Sequence, residues 1–381
     1  MPSSEPRITA VHIHRLSGRL KRRFGWSLDW TTARHATLIE VRTDSGLTGW
    51  GDGYFGGEEF VRDPHCVVGQ SIFAAANLLN AHLVAAGGFQ ARTRFLRAGG
   101  LDMALWDLQG KALQKPVWHF LGTQYRSRVE PYCTALYRVD SSDLAAYLAE
   151  EAVGWEARGY RTIKMKIGYG PETDLRIVRK VREALRPETA LAVDANCAYD
   201  AGTAAMLGKQ LEPFGLAWWE EPILANDYAG YARLRQAFSI PLASGESMTT
   251  EEMAVHYVAP RLVDILQPDI ESVGFTGGQR LAWLCWLHHQ RLVPHNWGTA
   301  IRTAAILHWV STIPRLTEGL QAHGNLFEFD RTEHPFRDAV IEEKIEIEED
   351  GMITVPEEPG LGVKVIPEAV EQYRTEHIVV K

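Results

Sequence analysis

The sequence predicts an α/β fold, a modified (β/α)8 barrel of the TIM type that carries an α+β capping domain. From about residue 129 onward, eight short β-rich runs alternate with amphipathic helical stretches, as in such a barrel. Charged residues collect at the ends of these runs, whereas the runs themselves are mainly apolar. The residues before 129 lack this alternation and mix strands with helices, which indicates a separate domain.

The predicted capping domain covers residues 1–128. Its first strands are ITAVHIHRL and ATLIEVRTDSGLTGWGDG, and the second segment contains an Asp-Ser-Gly turn that is typical of a hairpin. A helix is predicted at LDMALWDLQGKAL, where apolar residues recur at helical spacing at Leu101, Ala104, Leu105, Leu108 and Leu113. Strands and helix together predict an α+β unit.

The predicted barrel covers residues 129–344. Its eight β-rich runs are EPYCTALY, TIKMKIG, LAVDAN, LAWWEEP, PLASGE, VDILQPD, RLVPHNW and LFEFD. Between them lie helical stretches such as DLRIVRKVREAL, whose apolar residues fall on one face. The remaining segment, 345–381, has the pattern of strand and turn, and we expect it to return to the capping domain.

Composition argues against several classes of protein. The chain has 381 residues, of which 45% are hydrophobic and 23% charged, which is typical of a globular protein. Its formal net charge is −8, so neither nucleic acid nor an anionic membrane is an expected partner. No apolar run is long enough to span a bilayer, and the first residues lack the pattern of an export signal. The four cysteines are widely spaced and contain no Cys-x-x-Cys pair. We therefore expect a cytoplasmic protein.

Polar side chains occupy the ends of the predicted barrel strands, about one βα unit apart. In (β/α)8 enzymes the carboxyl ends of the strands surround the active site, so we expect these side chains to converge on one cavity. They are Lys164 and Lys166 in run two, Asp194, Glu220, Glu246, Asp269 and His295 in runs three to seven, and Glu328 in run eight.

Three of these side chains are acids on neighbouring runs. Asp194, Glu220 and Glu246 would repel one another unless a cation joined them. Oxygen ligands without Cys or His favour Mg²⁺ over Zn²⁺. The alternative is that each acid is a solvated strand-end residue or caps the next helix. Glu221, next to Glu220, is a possible substitute ligand.

Basic groups flank the three acids. Lys164 and Lys166 share one face of run two, because side chains alternate along a strand, and two neighbouring ammonium groups lower each other's pKa so that one can act as a base. On runs six and seven, Asp269 can hold Nδ1–H of His295 and leave Nε2 as a second base. A surface lysine pair and a structural histidine are the alternatives. Bases on runs two and seven would approach a substrate from opposite faces.

This set of groups suits removal of a proton from the carbon next to a carboxylate. The product is an enediolate, which places additional negative charge on the carboxylate oxygens. Mg²⁺ and Lys164 can stabilise that charge, and Glu328, if protonated, could donate a hydrogen bond to the other oxygen.

These residues lie in motifs that closely resemble the enolase superfamily, in its mandelate racemase group, over nearly the whole chain. The motifs are Lys164-x-Lys166, Asp194-Ala195-Asn196, Trp219-Glu220-Glu221-Pro222, Gly245-Glu246, Gln267-Pro268-Asp269 and Pro294-His295-Asn296-Trp297-Gly298. The resemblance implies Mg²⁺ ligands at Asp194, Glu220 and Glu246. It further implies Lys166 and the His295/Asp269 pair as acid/base groups, Lys164 as the carboxylate partner and Glu328 as the electrophile. We expect Asn196 and Trp297, which belong to these motifs, to contact the substrate.

Within the group, the segments FEFDRTEHPFRDAV and VPHNWGTA most resemble acid-sugar dehydratases and a galactarolactone cycloisomerase. The resemblance implies β-elimination from a sugar acid or its lactone, which gives a 2-keto-3-deoxy sugar acid. Racemisation or epimerisation of a 2-hydroxy acid is an alternative, because two opposed bases also permit 1,1-proton transfer. A lyase or aldolase acting on phosphorylated sugars and a noncatalytic small-molecule binding barrel are weaker alternatives, since no Gly-rich phosphate loop is present and a binder needs no bases.

Substrate specificity is expected in loops of the capping domain. Arg22, Arg23 and Trp26 in one segment and Tyr54 in another offer cations and aromatic rings beside glycines. A solvated basic run and a tight turn are the alternatives. The family resemblance also implies a homo-oligomer, either a dimer or an octamer.

Overall fold

The computed structural model describes residues 5–53, 67–74, 98–248, 251–314 and 326–381. Within these residues the chain forms one antiparallel sheet of four strands and a second sheet in which eight strands run parallel. Helices follow the parallel strands along the chain. The predicted barrel with an α+β cap is therefore confirmed.

The antiparallel sheet contains both ends of the described chain. Its strands are β1 (Ile8–Gly25), β2 (Trp30–Thr43), β3 (Thr48–Asp52) and β13 (Arg374–Val380), in the order β13-β1-β2-β3. The hairpin between β2 and β3 closes at the Asp-Ser-Gly turn, where the Thr43 amide donates to the Leu47 carbonyl and Gly46 has a φ of 83°. Glycine adopts this left-handed conformation without the steric cost of a Cβ.

One face of this sheet packs on helix α1 (Gly99–Ala112). Gly51 allows the close approach, because a Cβ at this position would lie 1.9 Å from the carbonyl oxygen of Gly100. Leu113 was expected on the buried face of the helix, but it lies beyond the helix end and is 47% exposed. The interface buries side chains from both elements, namely Val11, Ile13, Ile39 and Val41 of the sheet and Leu101, Ala104, Leu105 and Leu108 of the helix.

The parallel strands coincide with the eight β-rich runs of the sequence. They are β4 (Arg128–Thr134), β5 (Thr162–Lys166), β6 (Ala190–Asp194), β7 (Trp219–Glu220), β8 (Leu242–Ser244), β9 (Ile265–Leu266), β10 (Arg291–Leu292) and β11 (Leu326–Asp330). Their order is β10-β9-β8-β7-β6-β5-β4-β11, and the Glu328 amide donates to the Pro294 carbonyl at 3.4 Å, which links the two outer members. A short strand, β12 (Ile353–Thr354), pairs antiparallel with β4.

Helices connect the parallel strands, and five of them have an acidic or hydroxyl N-cap. They are α3 (Leu144–Ala157), α4 (Pro171–Ala184), α5 (Ala201–Leu211), α6 (Tyr228–Ala237), α7 (Glu251–Val258), α8 (Ile270–Leu287) and α9 (Ala300–Ser311), with the short helices α2 (Trp118–Leu121) and α10 (Pro367–Tyr373) outside this series. Asp269 caps α8 and Thr299 caps α9, so both helices begin directly beside the barrel mouth. No helix in the described ranges is long and apolar enough to cross a membrane.

A buried histidine lies where α2 meets α9. The backbone amide of Trp118 donates to Nδ1 of His308 at 3.4 Å, and the His308 side chain is fully buried. Burial lowers the pKa of His308 to about 4, because the charged imidazolium loses its water. The folded protein therefore favours the neutral ring.

We expect this histidine to make folding stability depend on pH. Its pKa is about 4 in the folded protein and about 6.5 in the unfolded chain, so its contribution is complete above pH 6.5 and is lost as the pH falls toward 4. The free energy of unfolding, measured by urea titration, should therefore fall by up to about 1.4 kcal/mol per pH unit more in the wild type than in His308→Asn. Asn keeps an acceptor but does not titrate. Equal pH slopes would contradict the assignment.

Candidate active site

The side chains predicted from the strand ends do converge at the carboxyl end of the barrel. Lys166, Asp194 and Glu220 are the last residues of β5, β6 and β7, and the strand register places Lys166 beside Asp194 and Asp194 beside Glu220. Glu246, Asp269 and His295 follow the ends of β8, β9 and β10, whereas Glu328 lies within β11. Contacts between these side chains, given below, link all of them into one cluster.

Three carboxylates form the centre of this cluster. One oxygen from each of Asp194, Glu220 and Glu246 lies within 4.8 Å of the other two. Asn196 joins two of them, because its backbone N–H donates to Asp194 Oδ1 at 2.8 Å and its side-chain Nδ2 donates to Glu246 Oε1 at 3.2 Å. This contact places the predicted substrate-binding residue Asn196 directly against the three carboxylates.

Glu220 is held by three donors. Lys164 Nζ donates to Oε1 at 2.7 Å, while Gln267 Nε2 at 2.7 Å and Trp218 Nε1 at 3.2 Å donate to Oε2. Burial nevertheless raises the pKa of Glu220, and the negative charges of Asp194 and other nearby carboxylates raise it further. Lys164 opposes these effects only in part, so the pKa is about 7. The site therefore carries more negative charge than its own cations neutralise.

The donor set fits a divalent cation. Hard divalent cations take oxygen ligands, and three carboxylate oxygens here are close enough to share one ion. A cation among them would also offset the burial and the repulsion that together raise the pKa of Glu220. Glu221, the possible substitute ligand, is outside this trio and instead accepts from Cys197 Sγ at 3.3 Å and from Ser247 Oγ at 3.2 Å.

The two lysines of β5 are both paired with acids. Lys166 Nζ lies 2.5 Å from Asp194 Oδ2, and Lys164 Nζ lies 2.9 Å from Glu328 Oε1 in addition to its contact with Glu220. Burial would lower the pKa of Lys166, but Asp194 raises it above its usual value. Lys164 does lower the pKa of Lys166, but the nearby anions outweigh this effect, so in this geometry neither lysine has the lowered pKa that the sequence predicted.

On the other side of the carboxylates, His295 forms the predicted pair with Asp269. His295 Nδ1 lies 2.6 Å from Asp269 Oδ2, and Nε2 lies 3.2 Å from Glu246 Oε2. Burial alone would lower the pKa of His295, but Glu246, Glu328 and Asp269 together raise it to about 10. The ring thus has one nitrogen fixed by Asp269 and the other directed at the carboxylates.

Glu328 is surrounded by donors. Thr134 Oγ1 donates to Oε1 at 2.5 Å, the Asn296 amide donates to Oε2 at 3.0 Å, and Lys164 pairs with Oε1. Burial would raise the pKa of Glu328, but Lys164 and His295 lower it below its usual value. The structure therefore does not support a protonated Glu328, because every described partner donates to its carboxylate.

Trp297, the second predicted substrate contact, lies between the barrel and the cap. The guanidinium of Arg34 stacks 3.9 Å from the centre of the Trp297 ring, and Trp26 meets it edge to face at 5.7 Å. Arg34 also pairs with Asp330 at 2.9 Å and is almost fully buried. Trp297 is half-buried, so part of its ring is open to solvent.

The cap residues singled out in the sequence differ in their surroundings. Arg23 pairs with Asp140 at 2.8 Å on the surface, and Arg22 donates to the Asp140 carbonyl, so both contact a barrel loop rather than the carboxylates. Trp26, in contrast, meets the ring of Trp297 edge to face. Tyr54 lies outside the described residues.

A buried ion-pair network behind His295 was not predicted from the sequence. Arg302, in the first turn of α9, pairs with Asp52 of the cap at 2.9 Å and with Asp269 at 3.5 Å, and it also contacts Glu271. Asp52 additionally accepts from the Thr299 amide at 2.6 Å. One signal was available, because Asp52 is an acid at the end of a β-rich run, but nothing in the sequence pairs it with a helix of the barrel.

Comparison with known proteins identifies the family. Residues 147–369 match the family described as "Enolase C-terminal domain-like", and residues 20–122 match "Mandelate racemase / muconate lactonizing enzyme, N-terminal domain". The chain belongs to the enolase superfamily. Within it, the chain falls in the mandelate racemase group, as the motifs at the strand ends predicted.

Several enolase-superfamily proteins are similar over most of this chain. The D-galactarolactone cycloisomerase of Agrobacterium fabrum is 34% identical over 97% of this chain and 99% of its own length. The arabinonate dehydratase of Saccharolobus solfataricus is 30% identical over 75% of this chain and 76% of its own length. The crystal structure of the 3,6-anhydro-D-galactonate cycloisomerase from Zobellia galactanivorans is 32% identical, covers 97% of this chain and 100% of that chain, and superimposes with a TM-score of 0.83.

We expect the network behind His295 to contribute to stability. Asp52→Asn preserves the shape of the side chain but removes the charge that Arg302 contacts, so it should lower the free energy of unfolding by about 1.5 to 3 kcal/mol. Urea titration at neutral pH measures this change. Glu349→Gln, on an exposed residue, is the control and should remain within about 0.5 kcal/mol of the wild type. An Asp52→Asn variant as stable as this control would show that the pair has no net effect.

Proposed function

We propose that this protein removes the proton α to the carboxylate of a sugar acid or its lactone and then expels the oxygen on the β carbon. The observation that carries the proposal is the placement of two basic side chains on either side of the carboxylate trio. Lys166 contacts Asp194 at one end of the trio, and His295 contacts Glu246 at the other. A substrate held at the trio would therefore have a proton-transfer group on each face.

We propose Mg²⁺ as the ion, with Asp194, Glu220 and Glu246 as its ligands. All three offer carboxylate oxygens, and magnesium takes oxygen ligands and keeps room for waters or substrate oxygens. When bound, it would stabilise the negative charge that develops on the substrate carboxylate. In the described geometry Lys164 and Lys166 neutralise part of the charge of Asp194 and Glu220. An ion held by the three carboxylates would compete with Lys164 and Lys166 for these oxygens and would leave the two side chains free to contact the substrate.

The roles of the individual side chains follow from their contacts. Asp269 fixes the tautomer of His295 through Nδ1, so Nε2 is the nitrogen that exchanges a proton with the substrate. Lys166 serves on the opposite face, and Lys164, two residues earlier on the same face of β5, contacts the substrate carboxylate. We assign Glu328 to positioning Lys164 rather than to donating a hydrogen bond, because its carboxylate already accepts from Lys164.

Elimination has two outcomes that depend on the leaving oxygen. If the β-oxygen belongs to a free hydroxyl group, water leaves and the reaction is a dehydration. If the β-oxygen closes a lactone or anhydro ring, its expulsion opens the ring and the product has the same mass as the substrate. The similarity to two cycloisomerases over almost the whole chain favours the second case. We therefore propose lactones and anhydro sugar acids as the first substrates to test, ahead of open-chain acids.

The substrate class is tested by incubating the protein and Mg²⁺ with a panel of sugar acids, lactones and anhydro acids in D2O. We expect at least one member to give a 2-keto-3-deoxy acid. When the substrate is cyclic, the product should have the elemental composition of the substrate apart from incorporated deuterium. Deuterium entering the α position without any keto acid would instead indicate racemisation or epimerisation. Neither product nor exchange from any member would favour a noncatalytic binding barrel.

Removal of the metal should abolish turnover. Exhaustive dialysis against EDTA strips the ion, and without it the charge of the deprotonated substrate is not stabilised. Activity should return with Mg²⁺, and Glu246→Gln, which lacks one ligand charge, should need a higher Mg²⁺ concentration for half-maximal rate. Glu349→Gln is the matched control on an exposed acid. Full activity after chelation would contradict the three-carboxylate site.

Replacement of either base should lower kcat strongly. For Lys166→Met and for His295→Asn we expect losses of about 10²- to 10⁴-fold, the usual cost of an acid/base group. Lys180→Met and His35→Asn change exposed residues and should retain wild-type rates. Exchange of the α-proton with D2O separates the two bases, because the variant lacking the abstracting base loses exchange as well as product. Wild-type kcat in both site variants would disprove the base assignments.

A further inference from the structure

Three histidines of the capping domain form a cluster outside the carboxylate site. His12 and His14 lie on β1, and His377 lies on β13, where the strand register pairs it directly with His14. One ring nitrogen from each lies within 4.8 Å of the other two. His12 Nδ1 and His377 Nε2 are only 3.0 Å apart. The cluster is independent of the proposed function, since none of its members contacts the barrel site in the described residues.

The sheet geometry explains why these rings meet. Residues i and i+2 of a strand share a face, so His12 and His14 both lie on the face opposite to the one that packs on α1. Glu40 on β2 is the cross-strand partner of His12 in the register. His12 and His14 are buried, whereas His377 is exposed, so the cluster has one side open to solvent.

One nitrogen of the cluster has no hydrogen-bond partner. His14 Nε2 lies 3.0 Å from Glu40 Oε2, and because a carboxylate only accepts, this nitrogen carries the proton. The lone pair of the ring therefore lies on Nδ1, which is buried and lacks a partner among the described residues. Metal-binding histidines usually donate one ring N–H to a carboxylate or a carbonyl group, which leaves the lone pair of the other ring nitrogen available to the metal.

The charges in the cluster also suit a cation. Glu40 Oε2 lies 3.0 Å from His14 Nε2 and 4.0 Å from His12 Nδ1. The other carboxylate oxygen of Glu40 pairs with Arg42 at 2.7 Å. The cluster thus places a carboxylate beside two of its three imidazole rings.

The donor set differs from that of the barrel site. Imidazole nitrogens favour zinc, nickel and copper, whereas Mg²⁺ prefers oxygen. In a tetrahedral zinc site with Zn–N bonds of about 2.0 to 2.1 Å, donor atoms are roughly 3.3 Å apart. The separation of 3.0 Å between His12 and His377 is close to this value. The remaining separations are within 4.8 Å, and because the three rings lie nearly parallel, with interplanar angles of 11° to 27°, binding requires the rings to rotate until their lone pairs converge.

We propose that His12, His14 and His377 bind one transition-metal ion, for which Zn²⁺ is the probe, and that Glu40 orients His14. Binding opens the hydrogen bond between His12 Nδ1 and His377 Nε2. The ring that donates in this bond loses that proton to solvent and takes one up at its other nitrogen, so that both facing nitrogens offer a lone pair to the ion. The remaining coordination position is open to water on the side of His377. Because two ligands are on β1 and the third is on β13, the ion joins the last strand of the described chain to the first.

The proposal is tested by zinc binding in excess Mg²⁺, which occupies the barrel carboxylates. Binding is measured by isothermal titration calorimetry and by metal analysis after gel filtration. The variants are His377→Ala and His12→Ala, with His35→Ala, an exposed histidine of β2, as the matched control. Glu40→Gln should weaken zinc binding by about 10- to 100-fold if it orients His14, and loss of a ligand should weaken it further.

We expect the wild type and His35→Ala to retain one zinc equivalent more than the two cluster variants. The midpoint of thermal unfolding should rise with Zn²⁺ only in the proteins that retain it, because an ion that binds only the folded state stabilises it. His377 is exposed, so His377→Ala is expected to fold even if His12→Ala does not. Equal stoichiometry and affinity in the wild type, His35→Ala and His377→Ala would overturn the proposal.

Discussion

Charge compensation at the carboxyl end of the barrel is the constraint on which the rest of the site depends. Asp194, Glu220 and Glu328 are almost fully buried, and charges removed from water are tolerated only when they are paired. Lys164 lies within 3.5 Å of all three, so it joins strands β5, β6, β7 and β11 electrostatically. Its position leaves Lys166 and His295 at the two sides of the cluster. The same pairs that stabilise the barrel mouth therefore determine where a substrate can contact a base.

The cap takes part in this arrangement through buried ion pairs. Asp52, at the end of β3, contacts Arg302, and Arg302 contacts the Asp269 that holds His295. Gly53 permits the approach, because a Cβ there would lie 2.7 Å from the Cα of Glu271. A second pair, Arg34 with Asp330, places a guanidinium on the ring of Trp297. The orientation of a base and of an aromatic ring thus depends on residues outside the barrel.

The sequence predicted those site residues that recur at the ends of successive barrel strands. A parallel strand ends at the same edge as its neighbours, so acids such as Asp194 and Glu220 could be placed together from their spacing alone. Ionisation states could not be predicted in this way. The pKa of Lys166 and that of Glu328 depend on distances to side chains of other strands, and in this geometry those side chains raise the first and lower the second. Arg302 was missed because its partner Asp52 lies 250 residues away. The domain limits, the catalytic roles and the oligomeric state stay predictions.

The pairing of β1 with β13 has a consequence for synthesis of the protein on the ribosome. Val11 is opposite Val380, so the first strand gains this neighbour only after nearly the entire chain has been translated. Until then one edge of β1 exposes unpaired backbone groups, which in other proteins attract strands of foreign chains. The charged and polar side chains along that stretch, Arg15 and the two histidines, interrupt its apolar pattern. A nascent chain that stalls before β13 therefore keeps this edge of β1 accessible to chaperones and to aggregation.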